Sequence, residues 1–238
     1  MAITVTCPSG LKGEIRKPKV RDINELRKGG NSIQAYTKLL RTCWERTLEK
    51  GVYAWEGDPN NVPWSEVLSG DRFYLLLQIR VALFGPIYKF HVSCGSCGSR
   101  FAWEVNVLED IEVKPLTDEA KEILRGQDKL FSCTTLDNRE VTFRAGTGRM
   151  EAAIDDQEEP LIKFVLPRIH TLDGQAQPKQ IREALLDMDQ DVFDALQADM
   201  AVSECGPDTS ILARCHCKAT SMVDLPFDRT FFYPRSGS

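Results

Sequence analysis

Histidine is scarce in this sequence of 238 residues: His91, His170 and His216 are the three it has. No HExxH, GxSxG, P-loop or GxGxxG pattern occurs. The local signatures of zinc hydrolases, serine hydrolases, nucleotide hydrolases and dinucleotide enzymes are therefore missing. No apolar run approaches the roughly 18 residues of a membrane helix, and no membrane is expected as a partner. Positive charge is not in excess either. Lys and Arg number 30 against 35 Asp and Glu, for a net charge of −5 and a pI near 5.4. General nucleic-acid binders are normally basic, so no direct nucleic-acid contact is expected. The amino-terminal MAITVTCPSG lacks a basic stretch followed by an apolar core, and it does not read as a signal peptide.

What the chain does have is cysteine, eight in all. Without an export signal a reducing compartment is expected, and there closely spaced cysteines point to metal or redox chemistry. Two clusters stand out. His91-Val92-Ser93-Cys94-Gly95-Ser96-Cys97-Gly98 carries a CxxC among small residues that let the backbone fold under an ion. Arg214-Cys215-His216-Cys217-Lys218 carries a tighter CxC. Strand-like sequence flanks both: Tyr88–Val92 and Arg100–Val105 around the first, Ser210–Ala213 and Ser221–Leu225 around the second. Each cluster thus sits at a hairpin tip. Two such knuckles face to face make a zinc ribbon, with Cys94, Cys97, Cys215 and Cys217 as a closed tetrahedral set around a structural zinc.

Other readings remain open at this level. His216 or Cys205 could replace one ligand, because CxC is tighter than the usual spacing. A thioredoxin-type dithiol at Cys94 and Cys97 would normally open a helix after a strand, and here a strand follows. The cysteines could also be reduced and empty. Cys7, Cys43 and Cys133 lie in apolar or strand-like surroundings and read as buried small hydrophobes.

Cys97 and Cys217 are 120 residues apart, and the same offset brings Asp71-Arg72-Phe73-Tyr74-Leu75-Leu76 onto Asp191-Val192-Phe193-Asp194-Ala195-Leu196. Both segments have helical spacing. The first stops at Gly85-Pro86, and the second is predicted as one helix from about Pro178 to Met200, with Ile181, Leu185, Met188, Val192, Leu196 and Met200 as a core stripe. The half-starts match as well: Val5–Leu11 and Phe131–Leu136 each lead into an alternating strand, which predicts a hairpin. A further helix is predicted from Ser32 to Glu49, with Ile33, Tyr36, Leu40, Trp44 and Leu48 on one face and Asn31 or Ser32 as its cap. The expected fold is α+β: two pseudo-repeated halves of hairpin, helices and metal hairpin, residues 1–113 and 114–238, joined by a shared zinc ribbon. Leu108–Leu116 is expected to cross between halves, and Asp155–Pro160 to form an exposed loop.

Two aromatic stretches invite a role in assembly. Phe231-Phe232-Tyr233-Pro234 could be a terminal strand packed on the body or an exposed docking tail, since aromatics and arginine are enriched in interface hot spots. Val52-Tyr53-Ala54-Trp55 could cover the core or meet a partner.

The chain resembles the baseplate hub and hub-assembly proteins of T-even-type contractile phages. The elements that carry the likeness are Ser69-Gly70-Asp71-Arg72, Gly85-Pro86-Ile87-Tyr88, Cys94–Gly98, Cys215-His216-Cys217 and Phe231–Pro234, spread over roughly residues 1–234. The CHC stands where that family leads one to expect CxxC, which bears on Cys215 more than on Cys217. The resemblance implies no reaction. It implies a non-enzymatic structural or assembly component, part of a multi-protein assembly with other phage baseplate and tail proteins. Its place would be the virion tail baseplate, or the host cytoplasm during assembly. Two rival functions come from the cysteines themselves: a zinc-ribbon adaptor in nucleic-acid metabolism, which the acidic balance weighs against, and a dithiol oxidoreductase.

Overall fold

The structure, a computed structural model, describes residues 2–29, 32–154, 161–226 and 229–232. It is α+β: eight helices and several small antiparallel sheets among those residues. Asn31, the stretch 155–160 and the residues from Tyr233 onward, for which a cap, a loop and a tail were expected, lie outside the described residues.

The amino-terminal hairpin pairs β1 (Ile3–Thr6) with β2 (Leu11–Ile15), and β3 (Trp44–Lys50) adds to β2. Helices α1 (Val20–Gly29) and α2 (Ile33–Cys43) fill the connection. The Ser32 hydroxyl caps α2 by accepting from the Ala35 amide, as expected. The predicted helix from Ser32 to Glu49 is too long, however. It ends at Cys43, where the carbonyl accepts from the Arg16 amide, and Trp44 onward becomes β3 in register with β2. A free edge on β2 outweighs the helical spacing of Trp44 and Leu48. Leu48 is exposed as a result.

Helix α3 (Ser69–Phe84) leads into the hairpin of β4 (Ile87–Ser93) and β5 (Arg100–Asn106). The short strand β6 (Val113–Lys114) follows, then α4 (Asp118–Arg125). The next hairpin is β7 (Phe131–Thr134) with β8 (Glu140–Phe143), and after α5 (Gly148–Ile154) the strand β9 (Ile169–Leu172) adds to β8. His170 is an exposed residue of β9. The single helix predicted from Pro178 to Met200 is two, α6 (Pro178–Leu186) and α7 (Gln190–Met200). Asp187 closes the first and Asp189 opens the second. The Asp189 side chain makes no cap hydrogen bond, and the Asp187 amide donates to the Glu183 carbonyl as α6 ends. The expected stripe is still core: Ile181, Leu185, Val192, Leu196 and Met200 are buried, while Met188 is partly so. Finally β10 (Gly206–Pro207) pairs with β6, β11 (Ser210–Arg214) with β12 (Thr220–Asp224), and α8 (Arg229–Phe232) follows.

Two apolar cores result. One holds the first sheet, α2 and α3, the β4–β5 hairpin and also Ile211, Ala213, Leu225, Phe231 and Phe232. The other is built by the second sheet, α4, α6 and α7, with Val52 and Leu68 joining it. The carboxy-terminal hairpin thus packs with the amino-terminal core. Phe231 and Phe232 are fully buried in a short helix, neither a strand nor a docking tail.

Candidate metal centre

The two hairpins present their turns in the same way. In the first, Ser93 and Arg100 are the last strand pair, the Cys94 amide donates to the Ser99 carbonyl, and the Gly98 amide donates to the Cys94 carbonyl. In the second, Arg214 and Thr220 close the ladder, the Cys215 amide donates to the Ala219 carbonyl, and the Lys218 amide to the Cys215 carbonyl. Each turn contains one left-handed residue, Gly98 at φ 70° and Lys218 at φ 72°. Glycine adopts that conformation freely, whereas lysine is strained in it. The second turn is one residue shorter, which is why a CxC serves where a CxxC was expected.

These turns bring Cys94, Cys97, Cys215 and Cys217 together, with their sulfurs all within 4.8 Å of one another. The Cys94 and Cys217 sulfurs are 3.7 Å apart, and so are those of Cys97 and Cys215. All four are free thiols. Thiolates ~2.3 Å from one tetrahedral ion would stand roughly 3.8 Å from each other, so the spacing suits a four-coordinate metal. Cys94 and Cys215 are buried, Cys97 and Cys217 exposed. Neither alternative ligand belongs to the set. Cys205 lies elsewhere, its sulfur 3.9 Å from an Asp71 oxygen. His216 Nδ1 is 3.5 Å from the Cys215 sulfur, outside the four-sulfur group.

Sequence reasoning missed Ser99. Its hydroxyl is 3.0 Å from the Cys97 sulfur and 3.5 Å from that of Cys215. The hydroxyl and amide of Ser99 bring the Cys97 thiol down to about 6. Cys215 is also lowered, by the backbone at Cys217 and the Ser99 hydroxyl. Cys217 is pushed up to about 11: the Ala219 amide favours its thiolate, but Cys215, burial and the other thiols outweigh that. The site therefore contains thiols that ionise at different pH, as expected of like charges sharing one space. Cys7 and Cys43 are buried, and loss of hydration raises both thiols, which matches their reading as small hydrophobes.

A family model described as T4 bacteriophage base plate protein matches residues 3–232. The chain belongs to that family. This base plate protein is thus a structural component of the phage tail, associated with other tail and baseplate proteins. No curated protein and no solved structure matches it. Among the described residues, no helix is long and apolar enough to cross a membrane.

The other elements that carried the resemblance are structural joints of the base plate protein. Gly70 lies against the backbone of Cys205 and Gly206, so closely that a Cβ there would fall 1.7 Å from the Cys205 carbonyl oxygen. Asp71 is fully buried. It accepts from the Ser9 amide and hydroxyl and, at 2.6 Å, from the Tyr53 hydroxyl. Burial raises its carboxyl despite these donors. Arg72 pairs with Glu151 at 2.9 Å and donates to the Trp64 carbonyl and the Thr37 hydroxyl. Arg80 donates to the Gly85 and Ile87 carbonyls and lies over the rings of Tyr88 and Phe231. It thereby ties the end of α3 to the base of the β4–β5 hairpin. No sequence signal marked Ser9, Tyr53 or Arg80 for these contacts.

Proposed function

We infer that this base plate protein is a non-enzymatic structural or assembly component of the hub region, stapled by a structural zinc at Cys94, Cys97, Cys215 and Cys217. The observation that carries the reading is the convergence of four sulfurs from two hairpins far apart in sequence. Zinc would draw on these thiolates as a closed set with no position left for substrate, which is the pattern of structural sites. The hub assignment rests on the resemblance in the cysteine, Gly-Asp-Arg and aromatic elements.

The division into residues 1–113 and 114–238 is part of the same reading. Each half runs through a hairpin, a third strand added to it, a helix and a metal hairpin, and the two three-stranded sheets have the same strand order. We read this as a duplicated unit in which the zinc joins the two copies. The protein would act in the virion tail, and in the host cytoplasm while the baseplate assembles.

The test is direct. Purified protein should contain about one zinc per chain by elemental analysis, and should join a complex of tail proteins. A Cys97→Ser variant should lose both the zinc and that assembly. A protein that carries no zinc and cycles between dithiol and disulfide would instead support the oxidoreductase.

A further inference from the structure

Charge is strongly segregated on the surface. Residues 89–103 and 212–223, which include both metal turns, contain no Asp or Glu but four Lys and Arg, in a chain of net charge −5. Lys89 is paired with Glu104 at 2.9 Å. Arg100, Arg214 and Lys218 are exposed, and none of them makes an ion pair among the described residues. On the outer face of the same hairpin Leu212 and Met222 are cross-strand neighbours, 61% and 68% exposed. The ribbon thus offers an apolar pair beside unpaired cations.

The complementary surface is on the same chain. Residues 183–204, covering α7 and the end of α6, hold seven Asp and Glu and no Lys or Arg. Asp187, Asp189, Asp191 and Asp194 are all exposed, and Leu186 beside them is 48% exposed. The buried side of α7 belongs to the second core, whereas the ribbon packs with the first.

We propose that the ribbon of one copy docks on the α6–α7 corner of a second copy, with Arg100, Arg214 and Lys218 against the aspartates and Leu212 and Met222 against Leu186. The partner is a second copy because an acidic surface with an exposed leucine and a basic surface with an exposed apolar pair are both present on this chain. The two patches differ, so the contact is heterologous and copies add head to tail. Charge steers the encounter and fixes its register, while the small apolar contact holds it. The proposal does not depend on the hub reading or on the identity of the metal, since zinc content and assembly with tail proteins are measured separately.

Sedimentation velocity of the full chain over a concentration series tests it. Screening lengths fall from ~10 Å at 0.1 M salt to ~3 Å at 1 M, so association should be present in dilute salt and lost in concentrated salt. An Arg100→Glu/Arg214→Glu variant and an Asp191→Lys/Asp194→Lys variant should each self-associate roughly tenfold or more weakly, since exposed pairs contribute about two- to fivefold each. An equimolar mixture of the two should associate again, because the reversed ribbon of one then meets the reversed helix of the other. The helix-side variant lies away from the cysteines, so it carries the test even if the ribbon variant loses its metal. A protein that stays monomeric at every salt concentration would overturn the proposal, and so would a mixture that stays monomeric. Tight binding of a labelled single-stranded oligonucleotide to a monomer, abolished by Arg100→Glu/Arg214→Glu, would assign the basic ribbon to nucleic acid and also overturn it.

Discussion

The sulfurs of Cys94 and Cys217 stand 3.7 Å apart although 123 positions separate them in the chain. Nothing local brings them together. Two hairpins that share one core do so, with Tyr88, Phe90 and Val92 on one and Ile211 and Ala213 on the other. A metal held there would tie the last hairpin of the chain to the first half of the protein, where it already packs.

Removing the metal should therefore act on folding. In small structural sites zinc contributes about 10–16 kcal/mol of apparent free energy, comparable to the whole stability of a typical domain. Cys94→Ser, at a buried sulfur of the proposed site, should lower the thermal midpoint sharply and abolish zinc retention. Calorimetry with elemental analysis of the same sample checks both; unchanged stability on zinc removal contradicts the staple.

Acid should release the metal. The Cys97 thiol is lowered to about 6 and that of Cys215 is also lowered from an ordinary value of 9.0. A depressed thiol contributes stability that is present above its unfolded value and lost as the pH falls through its folded value. Cys217, pushed up to about 11, works in the opposite direction above pH 9. Zinc retention after dialysis should be full near neutrality and fall steeply below about pH 6. Retention that is flat down to pH 4 would show that these thiols do not hold the ion.

Gly70→Ala should be among the most damaging small substitutions in the chain. Alanine is the better helix former, yet its Cβ would meet the Cys205 carbonyl carbon at 2.5 Å and its oxygen closer still. Both contacts are backbone and cannot rotate away. The expected result is a loss of about 3 kcal/mol in urea unfolding, the upper end of the range for overpacked cores. A neutral outcome would mean that α3 and β10 are not held together in solution.

Phe231→Ala should destabilise the protein by about 3–5 kcal/mol, as for a large ring removed from a core. Phe231 contacts Tyr88 and Phe232 edge-on and lies under Arg80. Urea unfolding measures the loss. A stable variant that fails only to assemble would restore the docking role that burial argues against.

Asp71→Ala would leave the Ser9 amide, the Ser9 hydroxyl and the Tyr53 hydroxyl without their buried acceptor. Each orphaned donor costs about 1–3 kcal/mol, so soluble protein should be scarce. Tyr53→Phe takes one donor from Asp71 and leaves the Leu68 amide without its acceptor, so it should cost about 1–3 kcal/mol, less than Asp71→Ala. Comparing expression and thermal midpoints of the two checks the ranking.

The sequence by itself determined the local pieces. Alternation of apolar and polar residues marks β4 and β5, and the spacing of Cys94 with Cys97 and Cys215 with Cys217 marks two turns able to offer thiolates. The apolar spacing over Phe73–Arg80 and the stop at Gly85 mark α3. These are short-range signals, set by the periods of helix and strand and by turn geometry. Tertiary structure alone decided the rest. The backbone at Trp44 leaves the helix because β2 has an edge to fill. The stripe from Ile181 to Met200 breaks at 187–189 into two helices, and Ile181, Leu185, Leu196 and Met200 still meet in the second core. Phe231 and Phe232 are interior because the carboxy-terminal hairpin packs on the first core. The four sulfurs meet for the same reason. Pairings across more than a hundred residues depend on which buried faces fit together once loop entropy has been overcome, and no window of sequence contains both partners.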